Sequence, residues 1–138
     1  MRTSQTKQWT RRVGAVMAAA VMTVAFTACG GGGDDGGGKA YVEPKGPSTE
    51  TLSFVAKNFS FTPENASADA GIATIKLTAD QGIHDFVFDG AYPGFQLEAD
   101  GGGGSQSKKI DLKPGKYTFY CSITGHRAQG MEGALTVK

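Results

Sequence analysis

From Thr51 onward, apolar and polar residues alternate in short runs instead of recurring every three or four positions. Thr51–Lys57, Ala73–Ala79, Ile83–Asp89, Ser107–Leu112, Lys116–Cys121 and Ala134–Lys138 show period two or an enrichment in β-branched and aromatic residues, as half-buried strands do. Between them stand Pro63-Glu64-Asn65, Asp80-Gln81-Gly82, Asp89-Gly90, Pro93-Gly94 and Pro114-Gly115. Proline there presets φ, glycine accepts positive φ, and Asp or Asn bonds to its own backbone. No helical stripe competes. The spacing predicts an all-β domain, a sandwich or barrel of Greek-key type. Gly101–Gly104 offers no side chain to pack and reads as a loose surface loop.

Alternation also assigns faces. His84, Phe86 and Phe88 share one face of their strand, and Tyr117, Phe119 and Cys121 share one face of theirs. His84 begins its strand and Cys121 ends its own, so antiparallel or crossing neighbours would bring both to one pole of the domain. Phe54, Phe59, Phe61, Phe86, Phe88 and Phe119 read as core. Tyr92, Pro93 and Phe95 fit either the core or an exposed patch for a partner.

The first 28 of the 138 residues carry a different pattern. Arg2, Lys7, Arg11 and Arg12 precede an apolar run from Val13 to Phe26, short for a membrane span but suited to the core of an export signal. Phe26-Thr27-Ala28-Cys29 resembles the lipobox of bacterial lipoproteins, with Phe where Leu is usual; the resemblance implies a lipidated Cys29 as the mature N-terminus. Simple secretion with cleavage near Ala28 is the alternative. Thr10-Arg11-Arg12-Val13 resembles a twin-arginine signal, although Gly14 and Ala15 stand where that motif wants bulky residues. The stretch GGGGDDGGGK after Cys29 buries almost nothing and reads as a flexible tether. Residues 1–28 are therefore expected to be an export signal, 29–48 a tether, and 49–138 the single domain. The product is expected to be a monomer at the cell envelope, anchored to a membrane through Cys29, or else soluble after secretion.

Removing the four basic residues of the leader from 14 leaves 10 against 13 acidic ones, a net of −3, which excludes a nucleic-acid footprint. With Cys29 given to lipid, Cys121 has no partner for a disulfide, and a lone thiol in an oxidising compartment needs another role.

Cys121, His126 and Met131 recur at five-residue intervals in one late loop, with Gly125 and Gly130 directly before two of them. Together with His84 they supply two imidazoles, a thiolate and a thioether. That set matches a type 1 copper site, whose soft sulfur donors stabilise Cu(I) while imidazole suits both oxidation states. Glycines before His126 and Met131 allow the tight turns that return three donors to one ion. Singly, each residue has an ordinary structural reading. Jointly, both histidines of the chain and its one unassigned cysteine fall into a single pattern.

The words IHDFVFDG (83–90), PGKYTFYCS (114–122) and GMEGALTV (130–137) resemble plastocyanin-like cupredoxins, with a Cys-to-His spacing similar to auracyanin and rusticyanin. The resemblance implies a cupredoxin-like Greek-key β-sandwich with one type 1 copper on His84, Cys121, His126 and Met131. It also implies an electron carrier, not an enzyme, whose redox protein partners dock near His126. Arg127, beside that histidine, would help steer an acidic partner. Two residues depart from the family pattern. Asp85 stands where the family usually has an Asn whose amide braces the cysteine loop, and Thr124-Gly125 stands where many members have Pro-Gly. Copper handling, as a chaperone or buffer, is the alternative function. Multicopper oxidase or nitrite reductase chemistry needs further histidines, and the chain has only two.

Overall fold

The computed structural model describes residues 40–138. The expected export signal, Cys29 and the tether as far as residue 39 lie outside the described residues. Nine strands form: β1 Glu50–Lys57, β2 Ser60–Thr62, β3 Asn65–Ala68, β4 Gly71–Ala79, β5 His84–Phe88, β6 Gln96–Ala99, β7 Gly104–Leu112, β8 Gly115–Tyr120 and β9 Glu132–Val137, with a 3-10 turn at Arg127–Gln129. They make two sheets, ordered β2-β1-β4-β7 and β3-β9-β8-β5-β6. The expected all-β sandwich is the fold observed.

Period two explains how each strand faces the core. In β4, Ala73, Ile75, Leu77 and Ala79 are buried while Lys76 is exposed, and β4 pairs with β7 over nine residues, from Gly71 opposite Leu112 to Ala79 opposite Gly104. Between the sheets lies an aromatic cluster. Phe86 stacks on Phe119 with ring centroids 4.6 Å apart, and Phe54 and Phe61 meet both rings at 4.9 to 5.8 Å, the spacing at which aromatic pairs add to area burial.

The six strands read from the sequence are all present, with ends shifted by no more than three residues. Strands β2, β3 and β6 are additional, each three or four residues long, too short to show a period. Phe95, left open between core and surface, is buried beside β6. Tyr92 is half-buried and its hydroxyl accepts the Lys113 N–H at 3.0 Å, while Tyr117 donates to the Lys113 carbonyl at 2.8 Å. The two tyrosines thereby fasten the turn at Pro114-Gly115.

Two expectations about loops change. Folded contacts begin before residue 49: the Tyr41 ring meets Phe95 edge-on at 5.0 Å and its hydroxyl donates to the Lys109 carbonyl at 3.0 Å. Glu43 accepts the Lys109 N–H at 3.0 Å, so this segment satisfies part of the open edge of β7. Gly101–Gly104 is not a loose loop. Gly102 and Gly103 donate to the carbonyls of Asp80 and Ala79 at 3.1 and 2.9 Å, and a Cβ on Gly101 would lie 2.6 Å from the backbone nitrogen of Gly82. Backbone must approach backbone there, two residues before His84.

Candidate metal centre

β5 and β8 are antiparallel, with Val87 opposite Tyr120 and Phe88 opposite Phe119. Register therefore brings the start of β5 to the finish of β8, and His84 to the same pole as Cys121. Both side chains are fully buried. The sulfur of Cys121 lies 4.0 Å from His84 Nδ1 and 3.4 Å from His126 Nδ1, and the three donor atoms all fall within 4.8 Å of one another.

The loop from 121 to 131 closes on itself through its backbone. His126 N–H donates to Ile123 O at 3.0 Å, Met131 N–H to His126 O at 3.2 Å, and Cys121 N–H to Met131 O at 3.1 Å. Gly125 and Gly130 sit at φ +86° and +95°, with open space where each Cβ would be. Glycine is demanded at both by backbone conformation alone. Met131, held by these bonds to Cys121 and His126, is fully buried. All four residues singled out in the sequence thus occupy one pole, His84, Cys121 and His126 as a cluster of facing donor atoms and Met131 on the loop bonded to two of them.

His126 is half-buried, and Phe59 meets its ring edge-on at 4.9 Å. Phe59, expected in the core, is instead half-buried at the rim of this site. Arg127 is committed within the molecule. It pairs with Asp89 at 2.8 Å and Glu132 at 3.0 Å, and its guanidinium lies 4.2 Å over the Tyr120 ring. One side chain ties the end of β5, the residue before Cys121 and the residue after Met131.

Burial governs the electrostatics. Desolvation lowers the His84 pKa, opposed by a backbone hydrogen bond with Gln81, while the nearby His126 lowers it further and Asp85 raises it. Desolvation also raises the Cys121 thiol; backbone hydrogen bonds at Asp85 and Ile123 pull it down, and the Asp85 carboxylate pushes it up again. Both effects favour the uncharged form.

Asp85 is the site residue whose setting the sequence conceals. Strict alternation turns it away from the face of His84, yet it is only 2% exposed. Its carboxylate accepts the Ser122 N–H at 2.5 Å, the Ser122 hydroxyl, and the Gln96 amide at 2.9 Å. Gln96 belongs to β6, a strand that the pattern does not reveal.

A metal fits these residues on one observation: two imidazole nitrogens and a sulfur face one another across less than 5 Å. The donor set is soft to borderline, suited to copper. The family of copper binding proteins described as plastocyanin/azurin matches residues 48–138. The chain belongs to that family. It is a cupredoxin, a blue-copper electron carrier with one type 1 copper and not an enzyme. Among solved structures, the chain resembles dithionite-reduced auracyanin from Roseiflexus castenholzii, with 20% identity, a TM-score of 0.56, and coverage of 67% of this chain and 99% of that one. Auracyanin B gives 19% identity and a TM-score of 0.56, covering 74% and 96%. Oxidised plastocyanin from Dryopteris crassirhizoma gives 26% and 0.50, covering 63% and 100%. At this identity the auracyanins support the sandwich alone. No curated protein matches the chain.

Proposed function

We propose that this cupredoxin holds its copper on His84, Cys121, His126 and Met131 and passes single electrons between redox proteins at the cell envelope. The carrying observation is the convergence of the His84, Cys121 and His126 donor atoms within 4.8 Å at one end of a rigid sandwich. Copper, when bound, supplies a Cu(II)/Cu(I) couple. The protein's part is positional. β5 and β8 fix His84 and Cys121 within the core, the backbone-bonded loop sets His126 and Met131, and burial keeps water away from both buried donors. A site held so tightly favours electron exchange, because little has to rearrange when the charge changes.

His126 is the half-buried member of the cluster, so its outer edge is the proposed route for electrons, with partners docking around it and Phe59. Redox encounters use small interfaces. Arg127 belongs to an internal clamp, and acidic partners need not be its role. The lipobox-like Phe26-Thr27-Ala28-Cys29 and the glycine-aspartate stretch after it support an exported, membrane-tethered protein. Reversible one-electron cycling of the copper-loaded protein, with slow loss of copper to a chelator, is the expected behaviour. Copper that passes to the chelator rapidly in both oxidation states would contradict the carrier and favour copper handling. For the anchor, the mass of the mature N-terminus should show acyl chains on Cys29 that vanish in Cys29→Ala; an unmodified terminus would refute it.

A further inference from the structure

Asp85 combines three observations. It is buried. It bridges two elements, with Ser122 of the copper loop on one side and Gln96 of β6 on the other. No ion pair among the described residues includes it. The Ser122 N–H can only donate, and both the Gln96 amide and the Ser122 hydroxyl are placed to donate as well, which is the surrounding an acceptor-only carboxylate makes. Lys108 holds the main chain of Gln96, its ammonium donating to the Gln96 backbone carbonyl at 2.7 Å.

An asparagine here would brace the loop as well, since its carbonyl also accepts the Ser122 N–H. What the carboxylate adds is charge. It sits between His84, its neighbour in sequence, and Ser122, the residue after Cys121, to which it is hydrogen-bonded. A negative charge in a poorly solvated place acts over several ångströms at an effective dielectric of ~20, far more strongly than in water.

The geometry points to Asp85 as a positioning residue with a second duty: its buried negative charge favours Cu(II) over Cu(I) and so sets the reduction potential of this cupredoxin low. The proposal rests on the copper reading above. Asp85 touches no metal in it and acts through Ser122 and through space.

The test compares the full protein with Asp85→Asn and Gln96→Leu, each loaded with Cu(II) and titrated with a redox mediator. Asp85→Asn keeps the loop braced and removes the charge, so the ratio of Cu(II) to Cu(I) affinity should fall by about tenfold, raising the potential by about 59 mV for one electron. Gln96→Leu removes a donor and leaves the carboxylate less compensated, so the potential should move the other way. A brace alone predicts an unchanged potential in Asp85→Asn, where the loop stays braced. Hydrogen exchange of the Ser122 amide in the metal-free proteins reads the bracing separately, and should stay slow in Asp85→Asn. A thiolate-to-copper band in wild type and Asp85→Asn with equal potentials, or a lower one in the variant, overturns the role of Asp85 and leaves the copper reading standing. No such band in either protein overturns both.

Discussion

Burial holds His84 and Cys121 uncharged in the metal-free protein: desolvation lowers the imidazole from its ordinary 6.5 and raises the thiol from its ordinary 9.0. Two consequences are measurable. At pH 7.5 the imidazole is already free of its proton and the thiol still carries one, so Cu(II) loading should release about one proton per chain, and affinity should weaken as pH falls. Release near zero would mean that the thiolate is preformed. The same shifts govern the metal-free fold. A lowered histidine contributes stability that is present above its unfolded value and lost as pH falls through the folded one. A raised thiol contributes stability that is present below its unfolded value and lost as pH rises through the folded one. Urea midpoints of the metal-free protein should therefore be highest between about 6.5 and 9.0 and decline on both sides; a midpoint still rising below pH 6 would contradict the histidine assignment. His84, Cys121, His126 and Met131 were readable at this scale because donor type and spacing are written directly in the sequence. The burial of Asp85 was not, since it depends on Gln96 and Ser122 arriving from separate elements.

Strands position the cluster, but turns and loops aim it. Gly101 is the sharpest case, because a methyl group there meets the Gly82 backbone at 2.6 Å and neither chain can yield without shifting the approach to His84. Gly101→Ala should cost about 1–3 kcal/mol by chemical denaturation, as overpacking does, and should weaken copper binding. Gly103→Ala, which meets open space at φ +94°, should cost about 1–2 kcal/mol from backbone conformation with copper binding retained. Equal effects of both on copper affinity would refute the brace. The Arg127 clamp makes a second prediction. Arg127→Met should leave the fold and the spectrum in place and quicken copper loss to a chelator, because the loop is then freed from Asp89, Glu132 and Tyr120; an unchanged rate would make the clamp incidental. These elements explain where pattern reading stops. A glycine run looks featureless until the turn it packs against is known, and β2, β3 and β6, at three or four residues, are too short to show a repeat. The strands read from the sequence were legible because a two-residue repeat over five to seven positions has no other economical reading. The face carrying His84, Phe86 and Phe88 was legible for the same reason.

At the scale of the described residues as a whole, a nine-strand sandwich holds an aromatic core against one pole where the donors converge, and part of the open edge of β7 is satisfied by the segment around Tyr41. The site is formed by long-range pairing, so copper binding and folding are coupled. Free copper at about 100 times its dissociation constant should stabilise the fold by about 2.7 kcal/mol, seen as a rise in the thermal midpoint that chelation reverses. An unchanged midpoint with copper demonstrably bound would argue that the metal sits elsewhere. The central claim, that copper binds through the sulfur of Cys121 between His84 and His126, is tested most directly by the visible and electron-paramagnetic-resonance spectra of the purified protein as Cu(II) is added. The account predicts an intense thiolate-to-copper band that saturates at one copper per chain and disappears in Cys121→Ser; a colourless copper-loaded protein, or a band that survives that substitution, would contradict it.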